Sequence, residues 1–176
     1  MQLRTRHDPA AAHVAVAALA ERHLGDVFRY VLYLTGDRAT ADDLTAQTFE
    51  TALRAWGRYD ARRGSERTWL CQIARSATLD HLRSEQRRRR REDVYAADAG
   101  EIAAEPRFAD GYSPELEVAL RALTAGEREV VALRLLLDLD AASTARVLGI
   151  SRTACSMRLG RALRKLEEGI GAHALA

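Results

Sequence analysis

Residues 140–166, DAASTARVLGISRTACSMRLGRALRKL, decide the fold of the second half of this chain. The pattern predicts two short helices, over about residues 140–148 and 152–168, joined by the tripeptide Gly149-Ile150-Ser151. Its glycine supplies the left-handed residue that a tight turn needs, and its serine can cap the second helix. Ala145 is small where the two helices must cross closely. This spacing is typical of a helix-turn-helix.

The second helix of this unit has the composition of a DNA-recognition helix. Such a helix fits the major groove, where polar side chains reach base edges and arginine binds guanine or phosphate. A plain helical hairpin remains the alternative, because Thr144 and Cys155 are weaker apolar plugs than the usual isoleucine or valine. The candidate DNA-binding residues here are Ser151, Arg152, Thr153, Ser156, Arg158 and Arg161.

Formal charge is segregated along the chain, although the total is only +2. Residues 54–91 carry twelve arginines against four acidic residues, a net charge of +8. Residues 151–176 have a net charge of +3, whereas residues 1–53 and 92–150 have net charges of −2 and −7. Two basic blocks separated by an acidic spacer indicate a polyanion bound at two places, as in nucleic-acid recognition. Solvated charged faces have the same composition, so charge alone leaves both interpretations open.

Composition favours helices over sheet and a reduced cytoplasmic protein. The chain has 176 residues, of which 47% are hydrophobic and 6% aromatic, with three prolines. It has no apolar run near the roughly 18–20 residues that span a bilayer, so no membrane insertion is expected, and its first residues lack a signal peptide's apolar core. Cys71 and Cys155 both lie in helix-like segments, so we expect no disulfide framework.

Three helices are predicted in the first half of the chain. The first runs from about Ala12 to Leu34, with apolar residues at helical spacing, and Gly36-Asp37 ends it. The sequence Thr40-x-x-Asp43 is a capping-box-like start for the second helix. Residues 59–64 are expected to form a loop, after which Ser65 or Glu66 begins the third helix.

Periodicity is lost from about Ser84 to Tyr112, where five consecutive arginines precede scattered acidic residues. We expect a flexible linker there, whose basic end can continue the preceding helix. Helical spacing then resumes, with Ser113-Pro114 and Thr124 as helix starts. The predicted fold is all-α: two small helical domains, residues 10–84 and 113–170, joined by a flexible linker, residues 85–112, with the helix-turn-helix in the second domain.

Two segments of the chain carry a specific family resemblance. The first is ADDLTAQTFETALRAW, residues 41–56, followed by GSERTWLCQIARSATLDHLRS, residues 64–84. The pair resembles the second conserved region of extracytoplasmic-function sigma factors, the smallest members of the bacterial RNA polymerase sigma family. The second segment, from Pro114 to Ile170, resembles their fourth region and includes ALRALTAGEREVVALRLLL before the helix-turn-helix. The segment that resembles the second region precedes the segment that resembles the fourth region, as in the family.

The resemblance implies binding to core RNA polymerase, recognition of two promoter DNA elements and promotion of DNA opening. The leucines of the predicted 126–137 helix would pack the domain and offer an edge to the polymerase flap. The surface that docks on the clamp helices falls on the outer face of the second helix, whereas Phe49 and Trp56 are better interpreted as core. The docking candidates are Asp42, Asp43 and Gln47.

The resemblance assigns residues 59–67 to the loop that captures an unstacked base of the minus-ten element. A single-stranded base needs a stacking surface and its backbone needs nearby cations, and this loop has both. Tyr59 can stack on the base or pack under the loop, and the sequence leaves both open. Ser76 replaces the asparagine common in the family, and Trp69 is better interpreted as core. The candidates are Tyr59, Arg62, Arg63, Arg67, Arg75, Ser76, Leu79 and Arg83.

The resemblance also implies that the helix-turn-helix recognises the minus-thirty-five element. Ser156 and Met157 stand where the family often has lysine and serine, so recognition rests on the arginines and Thr153, with Arg158 better suited to phosphate than to a base. Elements about 17 base pairs apart are separated by roughly 60 Å. A linker of about 30 residues extends to at most about 100 Å.

Two other classes of function fit the sequence less well. A free-standing helix-turn-helix regulator that binds DNA as a dimer leaves residues 40–83 without a task. An enzyme would need a nucleophile–base pair, a Gly-rich phosphate loop or a metal cluster, and the sequence has no such pattern; His81 has no ligand partners at metal spacing. We therefore expect no catalysis, no cofactor and no metal.

Regulation is left open by the sequence. Members of the family are usually held inactive by an anti-sigma factor, and transcriptional control or proteolysis are further routes. The final Ala-Leu-Ala resembles small apolar tags that bacterial unfoldase proteases read, although a frayed tail is the simpler interpretation.

Overall fold

The computed structural model describes residues 9–95 and 112–173, which contain α-helices and no strand. The predicted all-α fold is confirmed. Short 3₁₀ turns occupy the α2–α3 connection at Trp56–Arg58 and Ala61–Arg63, and a π-helical segment, Ala132–Leu136, follows α5. The α-helices of the described residues are α1 (Pro9–Thr35), α2 (Arg38–Ala55), α3 (Glu66–Tyr95), α4 (Pro114–Arg121), α5 (Ala125–Val131), α6 (Ala141–Leu148) and α7 (Arg152–His173).

The turn between α1 and α2 corrects one sequence prediction. Gly36 has φ 66° and ends the first helix, as expected. The cap of α2 is Asp37 and not Thr40, because the Asp37 carboxylate accepts a hydrogen bond from the backbone amide of Thr40 at 2.7 Å. Asp37 has extended backbone, which lets its side chain reach the amide three residues later. The helix therefore begins before the position that the capping-box pattern predicts.

Helices α1, α2 and α3 form a first bundle around a buried, mostly apolar core. Leu19, Val31 and Leu70 have no measurable exposure, and each buried side chain of this size stabilises the fold by about 1.5–3 kcal/mol. Thr48 and Thr78 are equally buried, and their hydroxyls donate to the carbonyl four residues earlier, at 2.7 and 2.8 Å. These hydrogen bonds remove the penalty of burying a hydroxyl.

Helix α3 extends past the predicted domain boundary at residue 84 without a break. It includes the five-arginine run and ends at Tyr95. The basic end of the predicted linker therefore continues the preceding helix, as its composition allowed. The rest of that linker, residues 96–111, and the C-terminal Ala-Leu-Ala lie outside the described residues.

Helices α4 to α7 form a second bundle, in which α4 and α5 begin at the capping residues predicted from the sequence. The Ser113 hydroxyl accepts from the amide of Leu116 at 3.3 Å, with Pro114 in the first turn. Thr124 and Glu127 form a reciprocal capping box at the start of α5. Both predicted caps are confirmed. They are local interactions, so three or four residues of sequence suffice to specify them.

The helix-turn-helix has the predicted geometry. Gly149 ends α6 with φ 67°, a left-handed conformation that side chains with a Cβ adopt only at a cost. The Ile150 amide donates to the Ala145 carbonyl at 3.0 Å, and the Ser151 hydroxyl accepts from the amide of Ala154 at 3.1 Å. Cys155 is buried between the helices, so it fills the plug position. Both Cys71 and Cys155 are free and buried.

The two bundles contact each other directly. Helix α3 packs against α6, and α1 packs against the π-helical segment. Among residues 9–95 and 112–173, no helix is both long and apolar enough to cross a bilayer.

Candidate nucleic-acid interfaces

Three aromatic rings support the loop between α2 and α3. Tyr59 stacks on Trp56, with ring centroids 5.4 Å apart, and contacts Trp69 at 5.1 Å. The Tyr59 hydroxyl donates to the Gly64 carbonyl at 3.3 Å across the loop. Of the two alternatives for this tyrosine, the structure therefore has it packed under the loop, and burial raises its pKa. Trp56 and Trp69 are partly buried in the same cluster.

The arginines predicted for the minus-ten loop are in three different environments. Arg62 is exposed but bound by Asp60, with Nε–Oδ1 and Nη2–Oδ2 distances of 3.1 and 2.9 Å. Arg63 is exposed and forms no ion pair with any described residue. Arg67 points back to α1, where its Nε lies 2.6 Å from Oδ2 of Asp26. Of these three arginines, Arg63 is the one without an ion pair among the described residues, whereas Arg67 holds the first turn of α3 against α1.

A cavity of about 310 Å³ lies beside this loop. Tyr59, Trp69 and Thr68 form one side of it, and Arg58 and Arg63 supply positive charge. One wall comes from the other bundle, because Arg146 of α6 reaches the cavity. An aromatic floor with flanking cations has the chemistry to hold an unstacked base and its phosphate.

The outer face of α3 carries the remaining minus-ten candidates. Ser76 is exposed and Leu79 is half-buried. Arg83 is exposed and pairs with Asp80 at 3.1 Å, one turn away on the same helix. Arg75 instead pairs with Glu129 of α5. Burial of Arg75 lowers the guanidinium pKa, but the hydrogen bond to Glu129 outweighs this effect and the pKa is raised.

The N-terminal part of α7 presents a polar face. Arg152, Thr153 and Ser156 are exposed, and Met157 is exposed beside them, an apolar side chain suited to a thymine methyl group. Arg158 is half-buried and lies against Gly126, at the start of α5. Predicted base-reading residues therefore occupy the helix end that enters a groove in a helix-turn-helix complex.

Further along α7, a cleft of about 580 Å³ separates this helix from the start of α5. Four cations line it: Arg158, Arg161, Arg164 and Lys165. Lys165 Nζ lies 2.8 Å from Oε2 of Glu127. Burial opposes ionisation of Glu127, but hydrogen bonds from Lys165 and Thr124 outweigh it and lower the carboxyl pKa to about 2. The other three cations give this edge of the bundle a positive surface.

The predicted polymerase-docking residues share one face of α2. Asp42, Asp43 and Gln47 are exposed, whereas Leu44 and Thr48 on the opposite face are buried. Phe49 is partly buried against the core, in line with its interpretation as a packing residue. The face is polar and acidic, so it suits a basic partner surface.

Comparisons with known proteins identify the family. The Sigma-70 region 2 model matches residues 19–88 and the Sigma-70 region 4 model matches residues 113–166. The probable RNA polymerase sigma-C factor of Mycobacterium bovis is 37% identical over 150 residues, which cover 84% of this chain and 79% of that protein. This chain belongs to the extracytoplasmic-function sigma factors. The extracytoplasmic-function sigma factor BldN of Streptomyces coelicolor is 34% identical over 155 residues, covering 86% of this chain and 59% of BldN.

Two solved structures share the fold of this sigma factor. CnrH, in complex with the cytosolic domain of CnrY, aligns with a TM-score of 0.67 and 24% identity over 96% of this chain and 97% of CnrH. RpoE of Bartonella quintana, in complex with the anti-sigma factor NepR, aligns with a TM-score of 0.67 and 21% identity over 88% of this chain and 96% of RpoE.

Family membership establishes the general function. The sigma factor binds core RNA polymerase, directs it to promoters and promotes DNA opening. Sigma factors are not enzymes. The alternative of a free-standing dimeric regulator is not favoured. It assigns no function to residues 40–83, whereas these residues lie within the region 2 match.

Three residues beside the predicted minus-ten candidates of the sigma factor were not themselves predicted from sequence. Arg146 and Glu129 reach this region from the second bundle, and Gln72 of α3 donates to the Arg146 carbonyl. Arg75 and Glu129 are 54 residues apart in the chain, too far for a local pattern to reveal their contact. The only local hint is that Glu129 lies four residues before the buried Leu133, on the core side of α5, where an acidic side chain needs a partner.

Proposed function

We propose that residues 10–84 bind the polymerase clamp and the minus-ten element, and that residues 113–170 bind the flap and the minus-thirty-five element. The observation that carries this division is the placement of exposed arginines. Arg62 and Arg63 are exposed on the α2–α3 loop of the first bundle, and Arg152 is exposed at the start of α7 in the second. Residues 85–112 connect the two binding units.

The clamp-binding surface in this proposal is the acidic face of α2. Asp42 and Asp43 present carboxylates to solvent, and Gln47 follows one turn later on the same face. Carboxylates of this kind orient a partner and accelerate its encounter more than they add affinity. On the other bundle, Leu135 is 55% exposed while Leu133 and Leu137 are buried, which supports an apolar contact of this segment with the flap.

The minus-ten unit in this proposal is the loop cavity and the adjacent face of α3. Arg63 supplies an unpaired cation, Arg62 a second one bound by Asp60, and Tyr59 stiffens the loop from below. A base that leaves the stack finds a partly open polar cavity beside the Trp69 ring. Ser76, Leu79 and Arg83 continue the surface along α3.

The minus-thirty-five unit is the N-terminal half of α7. Arg152, Thr153 and Ser156 are exposed, which supports contact with base edges, and Ser151 caps the helix. Arg158 and Arg161 line the cationic cleft and suit phosphate oxygens. Such contacts fix the register of the helix on the duplex.

The sigma factor acts in the cytoplasm, because its partner polymerase transcribes there. An anti-sigma factor is its expected regulator, an inference supported by the structures of CnrH with CnrY and of RpoE with NepR.

Co-migration with purified core polymerase on a sizing column tests the docking surface. The natural chain should co-migrate, and Asp42→Arg should reduce the bound fraction because it places a cation against a basic partner surface. Glu21→Arg is the matched control, an equal charge change at an exposed position of α1. Equal loss in both variants, or binding by Asp42→Arg at the natural level, would count against this surface.

A further inference from the structure

A run of five arginines, Arg87–Arg91, lies near the C-terminal end of α3, and all five side chains are exposed. Arg88 is paired with Glu85, with 2.7 Å between Nη2 and Oε2. None of the other four arginines forms an ion pair with a described side chain. They therefore face solvent without a counter-charge from the part of the chain that the structure describes.

This run is unfavourable for the helix that carries it. Arg87 and Arg91 are four residues apart, and Arg87 and Arg90 are three apart, so like charges are neighbours on the helix surface. Cations gain from the helix dipole only in the last turn, and the last turn of α3 has no basic residue. Neither the dipole nor an ion pair with a described residue offsets the charge of Arg87 and Arg90, whereas a bound polyanion would do so.

Two arginines of the run share the face of α3 that carries minus-ten candidates. Because an α-helix turns by about 100° per residue, every third or fourth residue returns to the same face. The residues that lie within about 80° of one another on this face are Ser76, Leu79, Arg83, Arg87 and Arg90. All are exposed except Leu79, which is half-buried. The minus-ten face therefore continues without a break into the arginine run.

This continuous face is long enough to pass from the opened strand to duplex DNA. Ser76 and Arg90 are 14 residues apart in the same helix, which is about 21 Å along its axis. That length corresponds to about six base pairs at 3.4 Å per step. The minus-ten loop precedes α3 in the chain and the proposed minus-thirty-five unit follows it. A helix that runs upstream along the DNA in this order brings Arg87 and Arg90 onto the spacer between the two elements.

The spacing of the two arginines suits the phosphates of a DNA strand. Arg87 and Arg90 are about 4.5 Å apart along the helix axis, and the phosphates of one strand recur about every 3.4 Å along the duplex axis. Each guanidinium can therefore bind a phosphate of its own, with paired N–H donors on two phosphate oxygens. Contacts of this kind fix the position of a protein on DNA without reading the base sequence.

We propose that Arg87 and Arg90 bind the phosphate backbone of duplex spacer DNA, upstream of the minus-ten element. The N-terminal half of the α3 face then holds the opened strand, and its C-terminal half holds closed duplex. One rigid helix thereby spans the upstream edge of the opened region and fixes where opening stops. The inference rests on the proposed assignment of Ser76, Leu79 and Arg83 to the minus-ten strand, and it extends that surface.

The salt dependence of holoenzyme binding to a promoter fragment tests the spacer contact. Loss of one phosphate contact lowers the slope of log affinity against log salt by about 0.9. From about 50 to 200 mM salt, Arg87→Ala and Arg90→Ala should therefore each lose about 3.5-fold less affinity than the natural chain. Arg89→Ala removes an equally exposed arginine that lies about 120° from the middle of this face, and it should keep the natural slope. Equal slopes for Arg87→Ala and Arg89→Ala would overturn the proposal.

Neutral methylphosphonate linkages, placed one at a time in the spacer, locate the phosphates that are bound. Affinity of the natural holoenzyme should fall at adjacent linkages just upstream of the minus-ten element. Arg87→Ala should show no fall at the phosphate that Arg87 binds, because the contact is already missing. A changed spacer sequence with intact phosphates should leave the affinity unchanged. A natural holoenzyme that is insensitive to every spacer linkage, or that responds to the spacer sequence instead, would contradict a backbone contact.

Binding to core polymerase without DNA separates the spacer contact from a polymerase contact. Arg87→Ala and Arg90→Ala should bind core polymerase as tightly as the natural chain, and weaker binding would place the run on the polymerase instead. Circular dichroism should show unchanged helix content, since alanine is the strongest helix former. Start-site selection by the natural holoenzyme tests the proposed function on its own. Correct start sites together with natural salt slopes in both variants would overturn the spacer contact alone.

Discussion

Lys165 Nζ lies 2.8 Å from Oε2 of Glu127 and joins the middle of α7 to the first turn of α5. The same carboxylate oxygen accepts hydrogen bonds from the Thr124 amide and hydroxyl, at 2.8 and 2.9 Å. One side chain therefore caps a helix and ties the recognition helix to the bundle. Orientation of α7 relative to the rest of the helix-turn-helix depends on this junction.

Replacement of Glu127 by glutamine should reduce stability at neutral pH and remove the part of the acid dependence of stability that this carboxylate contributes. The folded-state pKa is lowered from 4.5 to about 2, so the carboxylate contributes stability that is complete above pH 4.5. That contribution is lost as the pH falls from about 4.5 towards 2. Urea unfolding followed by circular dichroism between about pH 7 and pH 3 measures it, with Glu167→Gln, an exposed change on α7, as the control. Parallel pH profiles for the natural chain and Glu127→Gln would contradict the junction.

Replacement of Tyr30 by phenylalanine should leave the fold intact and stabilise it by about 1 kcal/mol. The hydroxyl is buried and has no partner among the described residues, and an unsatisfied buried hydroxyl costs about 1–3 kcal/mol. Phenylalanine keeps the ring and its packing. Equilibrium unfolding in urea gives the free-energy difference. A clear loss of stability would mean that the hydroxyl has a bonding partner after all.

Alanine at both Arg152 and Arg161 should weaken binding to the minus-thirty-five duplex and leave polymerase binding unchanged. Both side chains are exposed on α7, and each lost contact to a base or phosphate costs about 1–3 kcal/mol. Footprinting of the holoenzyme beside a pull-down with core polymerase separates the two effects. Arg121→Ala on α4 is the matched control, since it removes an exposed arginine of the same bundle. An undiminished upstream footprint would remove these arginines from the interface.

Alanine at both Arg62 and Arg63 should impair strand opening. Of the two single variants, Arg63→Ala should cause the larger loss of opening. Arg63 has no ion pair among the described residues, whereas Arg62 must leave Asp60 to meet a phosphate. Permanganate reactivity of thymines near the start site reports the opened strand. Arg38→Ala, an exposed change on α2, is the control. Normal reactivity in the double variant would mean that another part of the surface holds the strand.

Local features of the fold could be predicted from the sequence because neighbouring residues specify them. Thr124 with Glu127, Ser113 with Pro114, and Gly149 each act within one helical turn. The predicted start of α2 was wrong for an equally local reason: Asp37 and Thr40 are both capping residues, and the one with extended backbone is the cap. The widened π-helical turn after Val131 has no sequence signal that distinguishes it from a regular helix.

The candidate site could be predicted only in part. Polar residues on α7 and α2 face outward as their helical spacing predicts, because periodicity determines which face is buried. The partners of Arg75 and the position of Arg146 depend on how two separately specified bundles pack. Such contacts join residues far apart in the chain, so no local pattern contains them. The placement of Tyr59 under the loop was likewise decided by Trp56 and Trp69 together.

Transcription from a promoter template by core polymerase with and without this chain is the most direct test of its function. Sequencing the 5′ ends of transcripts made from a genomic template library identifies both the promoters and the starting nucleotides. The sigma assignment predicts that core enzyme alone gives no defined product, and that addition of the chain yields transcripts that start at one nucleotide of each promoter. Transcripts with the same scattered ends in the presence and absence of the chain would contradict the account.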